Sequence, residues 1–172
     1  MDTVTYPHAE VQDLLENHFV AMRVNAKEPP AEFAELVAGS PLFWTPAFLF
    51  LDFRKMEVRR VLGYRPPSEL LAELRLALGF FDFLGSRFDS SADHFRAAAG
   101  LSPTPSVAPE ALFWAGIAAY RRDERSRATL WREWEVLRAR FPENDWWRRA
   151  DVFPEPPQGA RLHRIGAEEG KR

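Results

Sequence analysis

The 172-residue chain contains no cysteine, and this absence excludes several classes of chemistry from the chain itself. Without a thiol it carries no disulfide scaffold, no thiolate zinc site, no cysteine nucleophile and no dithiol redox pair. The chain also lacks an apolar run near the roughly 18 residues that a membrane-spanning helix requires. Its first residues, Met1 to Val4, have neither the basic start nor the apolar stretch of a secretory signal. We therefore expect a soluble, cytoplasmic protein.

A strong net charge is missing as well, since the formal charge is -2 at neutral pH. A chain of this kind has no large basic field of the type that collects the phosphate backbone of nucleic acids, although local patches remain open. The apolar share of 46% is enough for one core of ordinary size, or for two small cores that share a face.

The usual catalytic and metal-binding patterns are also absent. No two of the four histidines are spaced three or four residues apart on one helix, and none stands beside an evident carboxylate cluster. These histidines are His8, His18, His94 and His163. The sequence has no Gly-x-Ser-x-Gly motif, no phosphate-binding glycine loop and no serine triad spacing. We therefore predict no catalytic residue, no metal and no cofactor.

The first half of the chain mixes helix and strand patterns. The segment from Phe19 to Val24 is apolar on both alternating faces apart from Arg23, which is typical of a strand covered on both sides in a parallel sheet. The predicted elements are a helix over about 7–17, a strand over 19–24, a helix over 30–38, antiparallel strands over 47–53 and 57–62, and a long helix after Ser68. The predicted order is therefore α-β-α-β-β-α.

The second half is predicted to be entirely helical from residue 80 onward. Apolar stripes and helix boundary residues predict helices over 88–99, 109–122 and about 130–141, followed by a short helix that begins near Trp146 and Trp147. Beyond Phe153 the proline, glycine and mixed charges leave little to bury, so we expect a mobile tail over 154–172.

The segment from Val4 to Leu78 resembles the later part of a thioredoxin-like domain. The resemblance depends on the helix and strand patterns up to Asn25, on the run Trp44-Thr45-Pro46 before an apolar strand, and on the hairpin and closing helix that follow. The Trp44–Pro46 run is similar to the cis-proline loop of that superfamily. The resemblance therefore implies a cis peptide bond between Thr45 and Pro46.

Two parts of the thioredoxin-like pattern are missing from the chain. The Cys-x-x-Cys motif would lie upstream of Met1, and so would the strand that normally separates the strands at 19–24 and 47–53. Three arrangements can close this gap: the two strands pair directly, the run Thr3-Val4-Thr5 fills it, or another chain donates a strand. We favour direct pairing, which retains a right-handed crossover through the helix at 30–38.

The second half is similar to tetratricopeptide repeats in a degenerate form. The residues that carry the first copy are Leu78, Gly79, Phe88, Ser91, Phe95, Ala98 and Pro103. The run from Ala111 to Gly116, with Tyr120 and Ala128, is similar to a second copy that ends near Pro142. Small residues at these positions allow paired helices to approach closely, and two repeats are fewer than an independent solenoid needs.

The loop around Pro46 is the main candidate binding site. In the superfamily that the chain resembles, this loop holds extended peptides through its backbone. Phe43, Trp44 and Tyr64 then form an aromatic lip around Thr45 and Pro46. The alternative is that these aromatic side chains close the bottom of the core, as large aromatic residues commonly do.

Two further candidate sites have strong structural alternatives. Tyr6 and His8 lie near the position where the redox helix of the superfamily continues, so they are a possible polar site facing the Pro46 loop, or simply a helix start. Arginines between 121 and 149 are interleaved with tryptophans, which is a pattern of single-strand nucleic-acid binding. Because the tryptophans follow core spacing and acidic residues are interspersed, we favour a solvated helix over an aromatic core and expect no nucleic-acid partner.

Together these patterns predict an α/β region followed by an all-α region. The first, over 1–79, is a truncated thioredoxin-like domain with a mixed sheet of about three strands, and the second, over 80–153, is a set of antiparallel helix pairs. The predicted function is a non-catalytic protein- or peptide-binding module, adaptor- or chaperone-like. The alternatives are a glutathione-transferase-like enzyme that uses Tyr6, a self-associating structural protein such as a homodimer, and the remainder of a thiol oxidoreductase.

Overall fold

The computed structural model describes residues 1–38, 44–101 and 106–153. Within these ranges the chain forms seven helices and one sheet of two strands. In chain order they are α1 (Ala9–His18), α2 (Ala31–Ala38), β1 (Ala47–Leu51), β2 (Glu57–Leu62), α3 (Pro67–Leu84), α4 (Phe88–Leu101), α5 (Ala108–Arg122), α6 (Arg127–Arg140) and α7 (Asp145–Ala150). The predicted tail over 154–172 and the candidate residue Phe43 lie outside the described residues.

The two strands form an antiparallel hairpin, as the sequence predicts. Leu49 lies opposite Arg60, and the register shifts by one residue after Phe50. The turn is closed by Asp52, whose Oδ1 accepts hydrogen bonds from the backbone N–H groups of Arg54 at 2.8 Å and Met56 at 2.9 Å. An aspartate at the start of a turn commonly stabilises it in this way, because its side chain satisfies backbone donors that have no strand partner.

The prediction of a third strand over 19–24 is wrong. This segment forms neither helix nor strand, and the direct pairing with β1 that the sequence favoured does not occur. The run Thr3-Val4-Thr5 does not fill the gap either, since it lies in turns and the Thr5 hydroxyl donates to the carbonyl oxygen of Arg65 at 2.8 Å. An apolar alternation becomes a strand only where a neighbouring strand accepts its backbone hydrogen bonds. In the described residues β1 pairs only with β2, so the segment at 19–24 has no strand paired with it.

Helix α3 connects two apolar cores. Its residues Leu70, Leu74 and Leu78 pack with α1 and the hairpin, as the predicted stripe requires, while Leu76 on another side of the helix packs among α4, α5 and α6. The predicted domain boundary between residues 79 and 80 falls inside this helix. The sheet region and the helical region therefore share one structural element.

From α3 onward, each of the helices up to α6 packs against the next along the chain. Two glycines permit the close approach: a Cβ atom on Gly79 would lie 2.5 Å from Cε1 of Phe95, and one on Gly116 would lie 2.5 Å from Cδ1 of Trp134. The Ser91 hydroxyl also donates to the Gly79 carbonyl oxygen at 2.8 Å. Small residues at helix crossings thus have the role that the sequence predicts for them. No helix in the described ranges is both long and apolar enough to cross a lipid bilayer.

Candidate functional site: an open groove beside strand β1

A cavity of about 1080 Å³ lies along β1 and separates this strand from residues 19–26. The C-terminal end of α3 and Phe33 of α2 complete its walls. Most of the lining is apolar, and the lining residues are His18, Phe19, Val20, Met22, Val24, Ala26, Phe33, Ala47, Leu49, Phe50, Leu51, Asp52, Phe53, Arg54, Phe81, Leu84, Gly85 and Arg87. We call this cavity the β1 groove.

The apolar side chains around the β1 groove are unusually exposed. Val20 is 94% exposed, Phe53 is 90% exposed and Met22 is 60% exposed. Single exposed apolar side chains are common on protein surfaces, but a contiguous set around a concave site is typical of an interaction surface. These residues come from two segments far apart in sequence, so the fold assembles them.

Strand β1 has one paired edge and one open edge. On the paired edge, the Gly63 N–H donates to the Pro46 carbonyl at 2.7 Å and the Asp52 N–H donates to the Met56 carbonyl at 2.9 Å. Successive residues of an antiparallel strand direct their backbone groups to opposite edges. Ala47, Leu49 and Leu51 therefore direct their N–H and C=O groups away from β2, and no residue in the described part of the chain pairs with them.

The cis-proline loop lies directly before β1, and the predicted cis peptide bond between Thr45 and Pro46 is confirmed. Trp44 is 68% exposed and Tyr64 is 50% exposed. The alternative in which these two aromatic side chains close the bottom of the core is therefore wrong. Trp44 lies two residues before Pro46 and Tyr64 one residue after Gly63. They therefore flank the Gly63–Pro46 hydrogen bond that joins the two strands at this end of the hairpin.

The ionisable side chains of described residues that line the β1 groove are three bases and one acid. They are His18, Asp52, Arg54 and Arg87. Arg87 forms an ion pair with Asp82 at 2.7 Å, and Asp52 is engaged by the turn. The Arg54 guanidinium lies over the Phe53 ring at 5.2 Å, a weak cation–π contact at an exposed site. The Asp52 carboxylate keeps its negative charge, so the turn at the end of β1, with Arg54 and Lys55, has a net charge of +1.

Tyr6 and His8 do not assemble into a catalytic pair. The Tyr6 ring packs edge-on against Phe48 at 6.4 Å between centroids, whereas His8 is exposed at the start of α1 and its side chain makes no capping hydrogen bond. Burial, together with the nearby Asp2 carboxylate, raises the pKa of the Tyr6 hydroxyl. A tyrosine that activates a substrate as a phenolate needs the opposite shift.

A buried ionic cluster, which the sequence analysis missed, links the two regions. Arg59 of β2 donates to Glu73 of α3 at 2.6 Å and to Glu110 of α5 at 3.1 Å, and all three side chains are largely buried. Burial alone would lower the pKa of Arg59, but Glu73 and Glu110 outweigh it and the pKa is raised. Burial raises the pKa of Glu110 against the lowering influence of Arg59. The only sequence signal is that Arg59 shares the strand face of Val61, which is buried.

Neither a metal site nor an aromatic nucleic-acid surface is evident in the part of the chain that the structure describes. No group of three histidine, aspartate or glutamate side chains there is arranged to hold a metal ion. Trp131 and Trp134 are buried in the helical core, and Arg149 covers the ring of Trp146 at 4.2 Å. The β1 groove is therefore the best-formed candidate site in the described ranges.

Comparison with known proteins adds no functional assignment. No family model, no curated protein and no solved structure matches this chain. The thioredoxin-like and tetratricopeptide-like resemblances accordingly stay predictions. Functional inference depends on the groove and on the residues that line it.

Proposed function

We propose that this chain is a non-catalytic protein-binding module, adaptor- or chaperone-like, that holds a polypeptide segment in the β1 groove. The single observation that carries the proposal is the apolar groove along the open edge of β1. A free strand edge together with apolar side chains is the combination used in peptide recognition by sheets. Trp44 and Tyr64 extend the same surface past the cis-proline loop.

The lining of the groove favours a polypeptide over a small metabolite. Its volume of about 1080 Å³ lies at the upper limit of the range of about 300–1,000 Å³ typical of small-molecule sites, so the lining decides the comparison. A metabolite site also needs several convergent polar side chains to fix its ligand, whereas only four ionisable side chains line this groove and two of them are already engaged. Apolar contacts with exposed backbone groups suit a peptide chain.

The enzyme alternative gains no support from the geometry. A glutathione-transferase-like mechanism would use Tyr6, yet the pKa of this hydroxyl is raised by burial and the ring contacts Phe48 rather than the groove. A hydroxyl held in its protonated form is a poor base, and Tyr6, which packs against Phe48, is not among the residues that line the groove and could donate to a thiolate there. The binding proposal needs no ionised group at this position.

Self-association is a second candidate, because β1 has none of the usual devices that protect an open edge. Natural edge strands carry lysine, proline, inward charges or bulges that discourage pairing with other chains. The five residues Ala47–Leu51 contain no charge, and the bulge lies on the β2 side. Two copies joined through β1 would form one continuous four-stranded sheet.

The proposal is tested by selecting peptides from a random library on the immobilised protein. We expect enriched peptides that bind the native chain and that lose at least tenfold in affinity with Met22→Asp or Phe53→Asp, because each change places a charge in the groove. Val136→Asp is the matched control, since Val136 is an exposed valine on α6 outside the groove.

The outcome is read from the pattern across variants. If no peptide is enriched, the groove is not a polypeptide site. The same conclusion follows if the enriched peptides bind all three variants as tightly as they bind the native chain. Sedimentation at several protein concentrations, run in parallel, identifies self-association as the competing function.

A further inference from the structure

We infer that the β1 groove takes its partner as an added β-strand, an extended apolar segment of another protein that pairs with Ala47, Leu49 and Leu51. This inference deepens the proposed function and depends on it. It specifies the chemistry of the partner: a short strand with apolar residues on both faces and an acidic residue near one end. The sheet would then have three strands in place of two.

The backbone of β1 supplies the first argument. The three odd-numbered residues of the strand direct six hydrogen-bonding groups into the groove, and no described residue satisfies them. In the open groove water satisfies these groups, and an occupant with a matching row of donors and acceptors replaces that water without leaving any of them unpaired. A helix has no free row of this kind, whereas an extended chain does.

The two faces of β1 supply the second argument. Phe50 points into the core with α1 and α3, whereas Leu49 belongs to the other face of the strand, where Phe33 of α2 also lines the groove. A strand added beside β1 therefore has apolar surroundings on both faces. Strands of this kind are apolar at nearly every position rather than at alternate ones.

Charge complementarity supplies the third argument. Of the groove-lining cations, Arg87 is held by Asp82, while Arg54 stands at the Leu51 end of the strand beside Lys55. Asp52 accepts from two backbone N–H groups and keeps its negative charge, so Arg54 and Lys55 together leave the turn with a net charge of +1. The partner segment is therefore expected to carry a carboxylate where it passes Arg54.

The experiment uses the full chain and a synthetic peptide probe of six alternating valine and isoleucine residues flanked by two glutamates at each end. Binding is measured by calorimetry, and backbone amide exchange is followed by NMR with and without the probe. Strand addition predicts slowed exchange at Ala47, Leu49 and Leu51. Phe48 and Phe50 should change little, because their N–H groups already face β2.

Two variants of the strand sharpen the test. Leu49→Pro removes an N–H that faces the groove without removing one that faces β2, and proline is tolerated at such edge positions. We expect it to weaken probe binding at least tenfold, while Leu49→Ala, which keeps the N–H, stays within about threefold of the native affinity. Retained amide protection at Phe48 and Phe50 shows that the hairpin of Leu49→Pro is intact.

A second probe tests the charge argument. The same six residues flanked by lysines should bind at least threefold more weakly than the glutamate-flanked peptide, and the difference should shrink as salt is raised. Equal affinity of the two probes would remove the acidic residue from the inferred partner.

The possible results separate this inference from the proposed function. If library peptides bind in the groove but no alternating protection develops along β1, the strand mode is overturned and the binding function stands. If neither the probe nor library peptides bind and the native chain dimerises in a way that Leu49→Pro abolishes, the occupant is a second copy and both proposals of a foreign partner fail. If Leu49→Pro keeps an intact hairpin and binds the probe as well as Leu49→Ala does, the edge is not used.

Discussion

The sheet region before Pro67 leaves more of its large apolar side chains exposed than the helical region after it does. Of the twelve large apolar side chains that are exposed in the described residues, eight precede Pro67, although that part is the shorter of the two. The helical region instead packs each helix from α3 to α6 against the next. The helical region pairs its helices in succession, whereas the sheet region is left with an open strand edge.

The difference follows from how helices and strands satisfy their backbones. A helix pairs nearly all its backbone groups internally, so a stack of helices can end wherever its apolar stripes end. A sheet pairs its backbone between strands, so each missing strand exposes a row of donors and acceptors. A two-stranded hairpin is marginal alone, and here α1 and α3 cover one face while the β1 edge stays open. The open edge is what makes the sheet region a candidate for binding.

The largest expected effect compares one tryptophan from each region. Trp134 is fully buried in the helical core, and its Nε1 donates to the Phe113 carbonyl at 3.0 Å. Trp134→Ala should lower the free energy of unfolding by about 3–5 kcal/mol. Trp44→Ala removes an exposed side chain and should cost less than about 0.5 kcal/mol. Urea unfolding of both variants checks this, and a large loss from Trp44→Ala would mean that the sheet region is more tightly packed than its exposure indicates.

The next effect concerns the ionic cluster that joins the regions. Arg59→Met leaves Glu110 buried without its ion-pair partner and Glu73 with only the longer contact to Arg65 at 4.0 Å, and should destabilise the protein by about 3 kcal/mol. Replacing all three side chains by methionine should restore most of the loss, because no unpaired charge then remains. Arg60→Met is the control, since Arg60 lies on the same strand but pairs with Glu57 at the surface. If the triple variant is no more stable than Arg59→Met, unpaired charge in the cluster is not the cause of the lost stability.

The sequence predicted the elements whose signals are local. The stripes at Leu70, Leu74 and Leu78 and at Trp134 and Leu137 identify buried helix faces, because 3.6-residue periodicity needs only one chain segment to be recognised.

Features that depend on distant partners were predicted less well. The strand over 19–24 was wrong because a short apolar run forms a strand only if another strand pairs with it, and sequence alone does not supply that neighbour. Arg59 and Glu73 were not assigned to the interior, since charged residues are ordinarily exposed unless paired. The sequence analysis noted a missing strand, but its favoured direct pairing would have closed the gap, and the apolar groove along β1 was found only in the fold.

A smaller effect tests the close helix crossings. Gly116→Ala and Gly79→Ala each place a Cβ within 2.5 Å of a buried aromatic ring, so each should cost about 1–3 kcal/mol. Gly100→Ala is the matched control on α4, where a Cβ meets nothing within 4 Å, and it should stabilise the protein by about 0.5–1 kcal/mol. Thermal unfolding of the three variants gives the comparison. Equal stability for all three would mean that the helical stack is loosely packed.

The smallest effect concerns the contact between α1 and α4, where the ring of His18 meets the ring of His94 at 6.4 Å between centroids. Burial lowers the pKa of His94, and the nearby Arg75 and His18 lower it further, against the opposing influence of Asp82. The folded state therefore binds a proton on His94 less readily than the unfolded chain does. The stabilisation is present above the unfolded pKa of about 6.5 and is lost as pH falls through the lower folded pKa.

Substitution of His94 should therefore flatten the acid side of the stability profile. Urea unfolding between pH 7 and pH 5 should show a smaller loss of stability for His94→Gln than for the native chain. His8→Gln is the matched control, because His8 is exposed at the start of α1. If His94→Gln loses as much stability between pH 7 and pH 5 as the native chain does, protonation of His94 at the contact between α1 and α4 does not determine the stability in acid. In that case the two regions are held together mainly by α3 and by the Arg59 cluster.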